Sequence, residues 1–269
     1  MEKDLIKLSI EHGIAHVCLN RPSKINALSF EMFKAIDKVI KRLAADKSVN
    51  AVVLSGAEGN FCSGLDVKSV ANSPSKAMKL LFKWLPGNAN LAQRVSLGWQ
   101  RLPIPVIAVL EGCCYGGGMQ IALGADIRIA SSNCKLSIME AKWGLVPDMA
   151  GLVALRQIMP KDKALMLTYT ADILTAAQAL ELGMITQISD TPYDAAVELA
   201  NKIMRTSPDA NAAIKLSINR NWTGSIRSLL ARESLSQIRL LMGKNRVIAA
   251  IRQTKNPDKA YRARQSWWS

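Results

Sequence analysis

Three consecutive glycines, Gly116, Gly117 and Gly118, stand between a β-branched apolar run, Val106–Leu110, and a helix-forming stretch, Met119-Gln120-Ile121-Ala122-Leu123. That order reads as strand, turn and helix start. Glycine lets the backbone turn sharply and lets a ligand come close, while the first N–H groups of a helix have no intrahelical acceptor. Such donors suit a phosphate or a developing oxyanion. The dinucleotide fingerprint G-x-G-x-x-G would need glycine at Ile121, and a P-loop would need Gly-Lys-Ser/Thr after its glycines; the chain has neither. Close packing or a tight turn explains three glycines as well as a site does. Asp126, Glu140 and Asp148 then bring three carboxylates into an otherwise apolar segment, where a buried carboxylate needs a partner or a task.

A second glycine turn lies about fifty residues upstream, in Asn60-Phe61-Cys62-Ser63-Gly64-Leu65-Asp66-Val67. Together the two segments resemble the signatures of the crotonase, or enoyl-CoA hydratase/isomerase, superfamily, and the similarity runs from roughly Leu5 to Ile188. The resemblance implies an α/β fold, the crotonase-like ββα spiral, with C-terminal helices that build a trimer or a dimer of trimers. It implies an acyl-CoA thioester as substrate, with no cofactor beyond the coenzyme A that the substrate carries. The N–H groups of Leu65 and Gly117 take the places of the family's oxyanion hole. Asn20–Leu28 resembles its first CoA-contacting loop, with Lys24 and Asn26 at the nucleotide end, and Ser63, Gly64, Asp66 and Gln120 complete the expected substrate contacts.

The carboxylates depart from the hydratase pattern. Hydratases of the family place one glutamate shortly after the triple glycine and another twenty residues later; here those places hold Gln120 and Glu140. A glutamine orients water or substrate but does not accept a proton. Asp148 resembles the acidic residue that dienoyl-CoA isomerases carry there, so Glu140 and Asp148 would form a proton shuttle. That favours isomerase chemistry, or hydration with a rearranged base. Plainer roles stand beside these. Asp126 would cap a turn or pair with Arg128, and Asp148 would cap a helix starting near Met149.

Other chemistries find less in the chain. His12 and His16 are the only histidines and have no cluster of cysteines or carboxylates around them, so a metal site is not expected. A triad using one of them with Cys113 or Cys114 stays open, although a solvent-facing strand position is the plainer role. The five cysteines lack C-x-x-C spacing and read as reduced, mostly buried thiols of a cytoplasmic protein. The first residues contain no apolar signal core, and no stretch approaches 18 uninterrupted apolar residues, so a soluble chain with no membrane partner is expected.

The elements that must position these residues follow from pattern. Leu5–Ile10 and Ile14–Leu19 alternate around Glu11-His12-Gly13, which predicts a hairpin. Ser29 caps a helix through about Ala45, with Met32, Ile36, Val39, Ile40 and Leu43 on one face. Ala51–Ser55 is the next buried strand, and strand, helix and strand at this spacing predict a parallel sheet whose carboxyl-end loops bind ligands. Helices are expected around 76–84 and 91–101, flanked by Ser, Asn, Pro and Gly near 72–75 and 86–90. Met78, Leu81, Phe82, Trp84 and Leu85 would line an acyl tunnel or pack on the core. Met149–Gln157 and Lys161–Tyr169 read as helices, Thr175–Gln178 as a capping box, and Met184–Ile188 as one more strand. The division is an α/β core over residues 1–193 and a helical region over 194–269.

The net charge of +14 is concentrated at the C-terminal end, where Lys215, Arg220, Arg232, Arg239, Arg252, Arg264 and their basic neighbours face only Glu233 and Asp258. Clustered cations suit nucleic acid, and an RNA-binding protein or an idle acyl-CoA binder are the alternative functions. No aromatic stripe interleaves with the cations. Solvated helix faces, some near a CoA phosphate, are the simpler reading.

Overall fold

The apolar runs form a sheet buried on both faces. In the computed structural model, which describes residues 4–67, 69 and 74–268, the hairpin strands β1 (Ile6–Glu11) and β2 (Ile14–Leu19) precede helix α1 (Phe30–Ala45), β3 (Ala51–Gly56), α2 (Pro74–Leu81), α3 (Leu91–Arg101) and β4 (Val106–Leu110). Val106, Ala108 and Leu110 join a core with Met32, Phe33 and Ile36 of α1 and Val95 and Trp99 of α3. Ile107 and Val109 point the other way. This period of two, apolar on both sides, is why β4 reads as a continuous hydrophobic run.

The larger sheet has the order β1-β2-β3-β4-β6-β9, with β6 at Ile127–Ala130 and β9 at Gln187–Ile188. Only β1 and β2 pair antiparallel; the remaining neighbours are parallel. A smaller sheet of β5 (Cys113–Tyr115), β7 (Lys135–Ser137) and β8 (Leu174–Thr175) stands beside it. Between these strands run α4 (Gly117–Leu123), α5 (Gly151–Ile158), α6 (Lys161–Thr170) and α7 (Ala176–Glu181), and four helices close the chain: α8 (Pro192–Met204), α9 (Pro208–Asn221), α10 (Ile226–Leu241) and α11 (Lys244–Thr254). Helix α8 covers the second sheet face through Ala196 and Ala200, so the expected boundary at residue 193 falls inside a helix that belongs to the sheet's packing.

Ser29 caps α1 by accepting from the Met32 N–H, and the Thr175–Gln178 capping box forms. Several expectations change. The helix expected over 76–84 spans Pro74–Leu81, and part of the 72–75 stretch lies outside the described residues. Met78, Leu81, Phe82, Trp84 and Leu85 are all exposed, so they are not packed on the core. The strand expected over 184–188 shrinks to two residues.

Asp126 does not pair with Arg128. Its carboxylate accepts from the Val106 N–H at 2.8 Å and meets Lys215 Nζ at 2.6 Å. Lys215 also donates to the Trp99 and Ile104 carbonyls, both at 2.8 Å. This cation ties α9 to the start of β4 and is buried, as is Arg264, so neither belongs to the solvated basic surface. Arg128 donates instead to the Met184 and Ala125 carbonyls.

Candidate active site

Residues 61–66 run as a ribbon between two neighbours. On one side the Cys62 N–H reaches the Cys113 carbonyl at 3.0 Å, and the Tyr115 N–H returns to the Cys62 carbonyl at 2.9 Å. On the other side the Leu28 N–H donates to the Gly64 carbonyl at 2.8 Å, and the Asp66 N–H donates to the Leu28 carbonyl at 3.1 Å. In such a parallel bridge Leu65, between the two bonded neighbours, turns its own N–H away from Leu28. Gly64 makes the bend with φ of +96°, a conformation that strains any L side chain.

The second turn arrives at the same place. Gly116 has φ of +49° and its N–H donates to the Ser137 carbonyl at 2.9 Å, so β7 fixes the turn before α4 begins at Gly117. A Cβ placed on Gly64 would lie 3.7 Å from the Gly117 nitrogen. No acceptor among the described residues takes the Leu65 or the Gly117 N–H. Both residues line one cavity of about 250 Å³, together with Glu140 and Asp148. Two unsatisfied main-chain donors at one cavity wall suit an oxygen that gains negative charge.

Glu140 enters from the short helical turn after β7, and a Cβ on Gly116 would stand 3.4 Å from its Oε1. Burial pushes its carboxyl above the ordinary glutamate value of 4.5, and the nearby Asp148 adds to the rise. Its Oε2 is buried and has no hydrogen-bond partner among the described residues. Asp148 stands exposed at the mouth, where the surrounding protein still raises its carboxyl. It does not cap α5: the N-cap is Ala150 in the left-handed region, without a side-chain bond.

Gln120 is a clamp. Its Oε1 accepts from the Met149 N–H at 2.9 Å and the Gly151 N–H at 3.0 Å, which leaves the amide nitrogen to donate to Glu140 Oε1 at 2.6 Å. A buried amide so used has no acceptor left for substrate or water. It fixes one carboxylate oxygen of Glu140 and leaves the other free.

The expected CoA contacts divide. Lys24 is exposed, and its carbonyl accepts from Ser63 Oγ at 3.3 Å. Ser63 and Gly64 line the cavity. Asn26 turns its side chain inward: it is buried, its Nδ2 donates to the Ala57 and Asn60 carbonyls, and its Oδ1 accepts from the Arg21 N–H. Asp66 is held by Arg21 at 2.7 Å, and although burial opposes its charge, that partner keeps its carboxyl below the usual range. Both hold the ribbon in shape. Reading of the sequence missed the apolar wall, Val67, Met139, Trp143, Leu145, Val146 and Met149. Trp143, Leu145 and Val146 are exposed apolar residues in succession, and that run was the available signal.

No hydrogen bond joins a histidine to Cys113 or Cys114 among the described residues. Burial raises the Cys113 and Cys114 thiols. His16 Nδ1 is bonded instead to the Tyr193 hydroxyl at 2.7 Å, and His12 sits in the hairpin turn.

The sequence profile of the Enoyl-CoA hydratase/isomerase family matches residues 9–238, reaching past Ile188, where the sequence resemblance ends. The chain is 35% identical over 237 residues to a short-chain-enoyl-CoA hydratase of Clostridium acetobutylicum, covering 87% of this chain and 88% of that one. It is 30% identical over 234 residues to a 1,2-epoxyphenylacetyl-CoA isomerase of Escherichia coli, covering 84% and 86% respectively. An enoyl-CoA hydratase structure from Mycobacterium smegmatis superimposes with a TM-score of 0.84 at 25% identity, over 99% of this chain and all of that one. With two amide donors, a half-buried carboxylate and matches over most of its length, the chain belongs to the enoyl-CoA hydratase/isomerase family.

Proposed function

We propose that the chain binds an acyl-CoA thioester with its carbonyl oxygen between the Leu65 and Gly117 N–H groups, and that Glu140 moves a proton at the adjacent carbons. One observation carries this: two unclaimed amide donors and the unpartnered Glu140 Oε2 belong to one small cavity. Removing an α-proton builds charge on the thioester oxygen, which the amides stabilise, and a carboxylate raised toward neutrality is a better base than an ordinary one. Asp148 at the mouth is the second group of the shuttle. Lys24, exposed beside Ser63, would meet the nucleotide end of coenzyme A.

The clamp on Gln120 favours migration of a double bond over addition of water, because hydration by two glutamates has only one of them here. Incubating the protein with trans-2- and trans-3-enoyl-CoA esters and weighing the products separates the two. Double-bond migration leaves the mass unchanged, and that is the expected result. A product heavier by one water overturns the isomerase assignment and leaves the thioester site standing.

The raised Glu140 carboxyl sets the pH dependence. As a base it acts when deprotonated, so kcat/KM is expected to fall on acidification through a value above 4.5. A profile that stays level down through the ordinary glutamate range would remove Glu140 as the base. The exposed apolar residues Leu152, Tyr169, Trp222 and Ile226 support assembly into a trimer or a dimer of trimers, which sedimentation measures.

A further inference from the structure

A second cavity, of about 750 Å³, opens behind the segment that walls the catalytic one: Met149 lines the first and Ala150 the second. Lys83, Arg101, Arg156 and Arg220 all line it, and among the described residues no aspartate or glutamate does. The fold treats neighbouring cations differently. Arg94, on the same face of α3 seven residues before Arg101, is neutralised by Asp37 at 2.9 Å. The side chains of Arg101 and Arg220 have no ion pair or hydrogen bond among the described residues. Asp126 reaches the cavity wall at Asn219, but Lys215 already neutralises it. Partial burial and the approach of Arg232 and Arg101 push the Arg220 guanidinium below its ordinary value. Arg156 is held in place by Thr223 Oγ1 at 2.6 Å. Isolated solvated cations spread apart; these converge from three helices and the loop after α2 on one concave space, where a single sign of charge concentrates the field.

We propose that this cavity binds a small oxyanion carrying two or more charges, a phosphate ester or a polycarboxylate. Guanidinium forks match the paired oxygens of either group, and two unpaired arginines facing a hollow offer both charge and directed N–H donors. The site is separate from the thioester cleft: Lys24, Ser63, Leu65 and Gly117 are absent from its lining.

Calorimetric titration of the full chain with pyrophosphate and with citrate tests it, alongside the double variant Arg101→Gln/Arg220→Gln and the charge-keeping Arg101→Lys/Arg220→Lys. Saturable binding that weakens with added salt is expected for at least one probe, at least about tenfold weaker in the glutamine variant and partly restored in the lysine variant. Both arginines are exposed, so a thermal melt should show each variant folded. Pyrophosphate alone points to a phosphate ester, citrate alone to a polycarboxylate. Absence of saturable binding at low salt, or binding undiminished in the glutamine variant, overturns the site. Single-stranded RNA that binds more tightly than either probe and depends on the same arginines assigns the cavity to nucleic acid and overturns the small-ligand reading. None of these outcomes bears on enoyl-CoA turnover, so this site and the thioester reading fail independently.

Discussion

Replacing Glu140 by glutamine is expected to lower kcat for an enoyl-CoA ester by at least about 100-fold, the usual yield of a placed general base. The substitution is nearly isosteric. The new amide oxygen still accepts from Gln120 Nε2, which lies 2.6 Å from Glu140 Oε1, so the Met149–Gly151 clamp persists while the proton acceptor is lost. Stability should move the opposite way. The folded carboxyl titrates above 4.5 because it is buried. Between 4.5 and that raised value the native state holds a proton that the unfolded chain has released, so native stability falls as pH rises through this window. Glutamine has no proton to release. The variant is therefore expected to melt above the wild type at neutral pH, and the advantage to disappear below 4.5, where both chains are uncharged at this position. Steady-state kinetics and melts at two pH values check both halves. Wild-type turnover in the variant would end the assignment of Glu140.

What could be read ahead of the structure was local. Val106–Leu110 announces a strand because apolar residues, three of them β-branched, run without interruption, and Ser29 announces a helix start because its hydroxyl satisfies an N–H only three residues away. Both glycine turns were legible for the same reason. The strand Cys113–Tyr115 was not: three residues before a glycine turn carry no period, and the strand exists through its pairing with Lys135–Ser137. Side-chain partners distant in sequence were harder to read. Asn26 sits in a loop of the right kind, but loop type does not say which side chains turn inward, and the two carbonyls to which it donates lie more than thirty residues away. Gln120 reads as a substrate contact until the Met149 and Gly151 amides are placed on it. Asp126 was paired with the neighbour in sequence, Arg128, although the chain brings it Lys215 from a helix near the other end.

Gly64→Ala is the most severe expectation for the oxyanion site: kcat lower by about 100- to 1,000-fold, the cost of one lost donor in comparable sites. The argument is geometric. At φ of +96° an L side chain is strained, and the new Cβ would meet the Tyr115 carbonyl oxygen at 3.0 Å. Tyr115 cannot yield freely, because its N–H is bonded to the Cys62 carbonyl and its strand pairs with β7. The ribbon must shift instead, and the atom it carries next is the Leu65 nitrogen. Strain of this kind costs on the order of 1–3 kcal/mol, within the stability of an ordinary domain, so the variant should fold and melt a few degrees lower. Gly59→Ala separates strain from catalysis. Gly59 also has positive φ, at +66°, but a Cβ there meets nothing within 4 Å. That variant should lose stability and keep its turnover. If Gly64→Ala matches Gly59→Ala in both properties, the Leu65 N–H is not a donor to the thioester oxygen and the charge must be held elsewhere.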